Sequence, residues 1–188
     1  MKRLTLILAA LLSGTVALAP TTSLASDPNA EALKTVLLHF QNQCTSMQEY
    51  DIDAEDLDKP LVGKLTLNKS NIYELEVHTS GTKATVLYPD FHCENYGHPF
   101  CGSGGCGFYL IVDGKTFYRS GGFKPRTVTL EGEYEPTAVV VFGIHGGGCS
   151  TADDSSGAGV DPCYRTATWS DARQTFFSDG DIDVWEEQ

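Results

Sequence analysis

The chain has 188 residues, with 13 lysines and arginines against 25 aspartates and glutamates, a formal net charge of −12. That balance argues against nucleic acid and anionic lipid surfaces as partners, because both attract positive charge. It leaves room for cationic partners: a basic protein, a polyamine or a metal ion.

The first residues have the layout of an export signal. Lys2 and Arg3 precede apolar stretches at Leu4–Leu12 and Val16–Ala19, and Ser23-Leu24-Ala25 is a small-x-small cleavage site. Residues 1–25 are read as a signal peptide, and residues 26–188 as one disulfide-bonded, β-rich domain with an acidic C-terminal tail. Pro20, Thr21 and Thr22 break the apolar run before it could cross a bilayer, so no membrane insertion is expected after cleavage. Cleavage would remove Lys2 and Arg3 and no acidic residue, taking the charge from −12 to −14. The expected location is periplasmic or secreted.

Ser26-Asp27-Pro28 reads as a helix start, with proline in the first turn. Ala32, Leu33, Val36, Leu37, Phe40 and Cys44 then recur at helical spacing, which predicts one amphipathic helix to about Ser46. A charged linker, Glu49–Lys59, follows. After it Leu61–Leu67, Ile72–His78 and Lys83–Tyr88 alternate or are β-branched and read as strands. Phe108–Val112 and Thr116–Arg119 flank Asp113-Gly114, a favoured two-residue hairpin turn. Thr127–Leu130 and Thr137–Ile144 come next, the latter nearly all apolar and the candidate central strand. Tyr164–Trp169 and Arg173–Phe177 close a last hairpin across Ser170-Asp171-Ala172, with Trp169, Phe176 and Phe177 expected in the core. The tail, Ser178–Gln188, is acidic and expected in solvent, where Trp185, if exposed, would mark a contact surface. The fold class is therefore α+β and mainly β: one N-terminal amphipathic helix packed on an antiparallel sheet of about eight short strands, stapled by disulfides.

Six cysteines in an exported chain suggest three bridges. Cys101 and Cys106 flank Gly102-Ser103-Gly104-Gly105, whose glycines permit a tight reversal. Cys149 and Cys163 flank a loop of small polar residues. That leaves Cys44 with Cys93, tying the helix to the body; the main rival pairs Cys93 with Cys101. Loop-length arithmetic gives the three bridges about 2, 3 and 4 kcal/mol in that order. A zinc alternative would use His92, Cys93, His98 and Cys101, in a spacing that matches no standard module. A redox alternative would use the C-x4-C pair, though the usual signal is C-x-x-C. The site expectation therefore carries no metal and no cofactor.

Few other motifs point to chemistry. His145-Gly146-Gly147-Gly148 copies a glycine string that helps build oxyanion holes in some esterases, but no G-x-S-x-G elbow accompanies it. Asp179, Asp181, Asp183, Glu186 and Glu187 have some of the spacing of a calcium loop without its glycine at the sixth position. The candidate binding residues are Gly102, Ser103, Gly104, Gly105, His145, Gly146 and Gly147, whose backbone N–H groups could be presented to a ligand. No catalytic residue stands out.

Phe100-Cys101-Gly102-Ser103-Gly104-Gly105-Cys106, His145-Gly146 before Cys149, and Pro162-Cys163 before Trp169 resemble the short strings of an uncharacterised family of small exported proteins of Gram-negative bacteria. The resemblance implies export and disulfides, not an activity. Members carry an aspartate-rich run before the second cysteine that suits calcium; the corresponding stretch here, Glu76–Val86, has no aspartate. Three functions follow as expectations. The first is a non-catalytic structural or binding module. The second is an inhibitor of a basic envelope-targeting enzyme such as a lysozyme, steered by opposite charge. The third is a small hydrolase using Ser103 or His145.

Overall fold

The computed structural model describes residues 27–49, 63–94, 96–131, 136–145, 149, 163–178 and 182–186. The expected signal peptide, Gly146, Gly147 and most of the charged linker lie outside them.

Helix α1 (Pro28–Glu49) starts where the sequence predicts and runs about one turn past Ser46. Asp27 caps it: the Asn29 amide donates to Asp27 Oδ1 at 3.0 Å, and the Ala30 and Glu31 amides donate to the Asp27 carbonyl. Val36, Phe40 and Cys44 form its buried face, with Leu33 and Leu37 half-buried beside them. Gln41 anchors the chain that returns after the linker, donating to the Gly63 carbonyl and accepting from the Leu65 amide at 3.2 Å.

Thirteen strands follow among the described residues. They are β1 (Leu65–Thr66), β2 (Ile72–Glu76), β3 (Lys83–Leu87), β4 (His92–Cys93), β5 (Cys101–Gly102), β6 (Gly105–Cys106) and β7 (Phe108–Val112). After them come β8 (Lys115–Arg119), β9 (Arg126–Leu130), β10 (Thr137–Ile144), β11 (Cys163–Ser170), β12 (Thr175–Ser178) and β13 (Asp183–Val184). The Asp113-Gly114 turn joins β7 to β8 with φ of 50° and 78°, the left-handed pair such hairpins need. Its Gly114 amide donates to Asn29 Oδ1 at 2.8 Å, tying the hairpin tip to the helix start.

The expected single sheet is corrected. One five-stranded sheet has the order β13-β8-β7-β3-β2 and a second, four-stranded sheet the order β12-β11-β10-β9; β1-β4 and β5-β6 are two-stranded ribbons. The reason lies in β7, whose five residues are all buried. Phe108, Leu110 and Val112 face one side, where Val140, Phe142 and Ile144 of β10 meet them with Trp169 and Phe176. Tyr109 faces the other side, where Val36, Phe40, Leu87 and Phe91 gather. A strand apolar on both faces needs two covers. The single helix supplies one and the second sheet the other. Thr137–Ile144 is an inner strand, as expected, but of the second sheet.

Two aromatic expectations also change. Trp169 and Phe176 are core, whereas Phe177, next along the pleat, is 46% exposed, with the Arg173 guanidinium 5.2 Å over its ring. The acidic tail is not wholly solvated. Asp183 pairs with Tyr118 and Val184 with Phe117, and the Trp185 amide donates to the Thr116 carbonyl at 2.9 Å. Trp185 is half-buried beside Tyr109 rather than exposed, with ring centroids 5.9 Å apart.

Candidate functional site

The six cysteines pair as Cys44–Cys93, Cys101–Cys106 and Cys149–Cys163. This removes the rival pairing and the zinc set, because its cysteines sit in two different bridges and His98 Nδ1 lies 2.8 Å from Asp90 Oδ1. Asp90, Cys101 and Cys106 converge, but the two sulfurs are bonded to each other and offer no thiolate.

Part of the glycine region comes together. Cys101 pairs with Cys106 and Gly102 with Gly105 in a hairpin whose tip is Ser103-Gly104. The Gly122 amide donates to the Gly104 carbonyl at 3.1 Å. A Cβ on Gly105, at φ 88°, would run into the Gly122 carbonyl, so the two strands of chain approach backbone to backbone. Gly104 also lies against His145: a Cβ there would sit 3.7 Å from the His145 Cβ. The Tyr88 hydroxyl bridges the assembly, accepting from the Cys106 amide and donating to the Gly122 carbonyl, each at 3.4 Å. Gly102–Gly105 and His145 thus share one neighbourhood, with Ser103 exposed at the hairpin tip.

A second constellation was missed in the sequence. Asp171 collects hydrogen bonds from Ser80 Oγ (2.9 Å), Thr82 Oγ1 (3.0 Å) and Trp169 Nε1 (2.8 Å), with His78 Nδ1 at 3.3 Å. The Ser80 hydrogen bond first, joined by those from Trp169 and Thr82 and by the His78 charge, holds its carboxyl below the usual range, outweighing the opposing effect of desolvation. Serine, histidine and aspartate meet here without forming a nucleophilic triad. His78 Nδ1 faces both Ser80 Oγ (2.8 Å) and the carboxylate, whereas a triad uses the two ring nitrogens separately. The cluster joins the turn after β2 to the turn after β11 and clasps the two sheets at their edge.

The sequence also did not reveal a concavity between the helix and the first sheet. A cleft of about 680 Å3 opens between α1, the β7–β8 hairpin and the segment after β13. Phe40, Phe100, Tyr109, Tyr118 and Trp185 line it with His39, while Gln43 and Glu186 bring polar groups. Its volume falls within the usual range for small-molecule sites. The rings stand mostly edge to face: Phe40 meets Phe100 at 4.7 Å and 72°, Phe40 meets Tyr109 at 5.6 Å and 86°, and His39 meets Trp185 at 5.6 Å and 77°. Tyr109 and Tyr118 are cross-strand partners with centroids 4.8 Å apart. Burial raises both phenol pKa values, helped at Tyr109 by its neighbour Tyr118, so both stay neutral at physiological pH.

Two disulfides frame this cleft. Cys44 lies one helical turn beyond Phe40 on the same face, and its bridge bolts that face to Cys93. Phe100 and Gly107, both in the cleft wall, flank the Cys101–Cys106 hairpin. Gly107 has no room for a side chain: a Cβ would sit 2.8 Å from the Arg119 carbonyl and 2.8 Å from the Tyr118 ring. The sequence signal that could have found the cleft is the pairing of Tyr109 with Tyr118 around the Asp-Gly turn. Two aromatics in register on the same side of an apolar hairpin mark a face that something must cover.

Comparisons of the chain with protein-family models, characterised proteins and solved structures return no match. Among the described residues, no helix is long and apolar enough to cross a membrane.

Proposed function

We propose that the protein is an exported, non-catalytic binding module whose ligand occupies the aromatic cleft. The observation that carries this reading is a cavity of about 680 Å3 walled by rings and framed by two disulfides. Such a wall is pre-organised, so binding costs little additional ordering. Export and a periplasmic or secreted location follow from the N-terminal segment and agree with the cysteine usage. The inhibitor of a basic enzyme is a special case, in which the partner inserts a side chain into this cleft. The hydrolase reading is weaker because no G-x-S-x-G elbow accompanies the glycine strings.

The test is a titration of the mature, oxidised chain with N-phenyl-1-naphthylamine, a neutral dye that brightens in apolar sites. Saturable binding is expected, weakened at least fivefold by Trp185→Ala and unchanged by Phe177→Ala, an exposed aromatic outside the cleft. Absence of saturable binding, or equal effects of the two substitutions, would overturn the reading.

A further inference from the structure

We infer that the ligand of the aromatic cleft is a small organic cation carrying an alkylated ammonium group. The inference rests on the cleft being a binding site and adds the chemistry of its occupant.

Rings hold cations through the negative potential of their faces, most effectively when several surround one charge. The cleft is lined by five aromatic side chains and His39; Phe100, Tyr118 and Trp185 are half-buried and reach its surface, backed by the nearly buried Phe40 and Tyr109.

The rest of the molecule supplies an internal contrast. Three rings outside the cleft are covered by the protein's own cations: Tyr88 by Lys124 at 5.4 Å, Phe142 by Arg119 at 5.3 Å and Phe177 by Arg173 at 5.2 Å. Among the described residues, no lysine or arginine lies over Phe40, Phe100, Tyr109, Tyr118 or Trp185, and none lines the cavity.

Charge points the same way. Glu186 stands in the cleft wall, exposed, and Asp183 is exposed on the adjoining strand. The chain as a whole carries −12, which concentrates cations near it. An anionic ligand would meet Glu186 with no lysine or arginine in the wall to offset it. A neutral apolar ligand would leave the carboxylate unused. The phenols of Tyr109 and Tyr118, neutral when buried, add polar oxygens without a competing charge.

The test compares choline with its uncharged isostere 3,3-dimethyl-1-butanol, titrated into the mature, oxidised chain and followed by tryptophan emission. The chain has two tryptophans, and Trp169 is buried in the core, so the response reports Trp185. Choline is expected to bind at least about tenfold more tightly, a difference of about 1.4 kcal/mol. Glu186→Gln, at an exposed position that does not threaten folding, is expected to weaken choline about threefold and leave the isostere unchanged. Equal affinity for both probes would overturn the cation assignment, as would no binding of either while N-phenyl-1-naphthylamine still binds; both leave the binding-site reading intact. Failure of all three probes would overturn both.

Discussion

Between the two sheets, Phe108, Leu110 and Phe117 meet Phe142, Trp169 and Phe176, all less than a tenth exposed. On the opposite face of the same β7–β8 hairpin, Tyr109 and Tyr118 meet one helix, and a cavity of about 680 Å3 remains. The difference is one of width. Five strands at about 4.8 Å spacing span roughly 19 Å. A helix with its side chains is only about 10 Å across. A second sheet can match the first strand for strand, but one helix leaves part of the face uncovered. The uncovered part is the β8–β13 side, where Trp185 folds back. The closed core specifies the fold, and the half-covered face supplies the site.

The disulfides divide along the same line. Cys44–Cys93 spans 49 residues and fixes the helix that forms one cleft wall; Cys149–Cys163 spans 14 residues and joins the end of β10 to β11 in the other sheet. Replacing the first pair by alanines is expected to destabilise by about 4 kcal/mol and the second by about 3 kcal/mol, measured by urea unfolding. A smaller loss from the first pair would mean that the helix is held by other contacts.

Gly107→Ala sharpens the contrast within one face. The added methyl must displace the Tyr118 ring or the Arg119 carbonyl, at an expected cost of about 1–3 kcal/mol. Because Tyr118 lines the cleft, dye affinity should fall as well. A thermal shift without any change in dye affinity would separate Tyr118 from the site.

The smallest expected effect lies at the edge clasp. The Asp171 pKa is lower folded than unfolded, so its contribution is present above the unfolded carboxyl pKa and is lost as pH falls through the folded value. The native protein is expected to lose more stability than Asp171→Asn between pH 5 and the acid limit. Trp169 emission would report this, because its indole donates to Asp171. Parallel pH profiles for the two proteins would show that the clasp does not depend on charge.

The helix, both long hairpins and the cysteine pairing were legible in the sequence. Each rests on a local pattern: Asp27-Pro28 before an apolar stripe, Asp113-Gly114 between two strand-forming runs, glycines between close cysteines. The approach of the Gly102–Gly105 loop to His145 was only half legible. Both were read as candidates, but their contact depends on Gly122, which no motif marks. The cleft was illegible because its walls come from positions 39 to 186, and Phe40 and Phe100 look like any core aromatics. The docking of Trp185 was not legible because a two-residue strand, Asp183–Val184, is too short to show alternation and sits among acidic residues. The two-layer sheet arrangement escaped for a similar reason. An apolar strand announces that both its faces are covered, not what covers them.

The measurement that tests the central claim most directly is N-phenyl-1-naphthylamine affinity in two double variants, Cys44→Ala/Cys93→Ala and Cys149→Ala/Cys163→Ala, each kept well below its unfolding midpoint. A disulfide-framed cleft predicts that binding is lost or weakened at least tenfold in the first and retained in the second. Equal affinities in the two variants would contradict it.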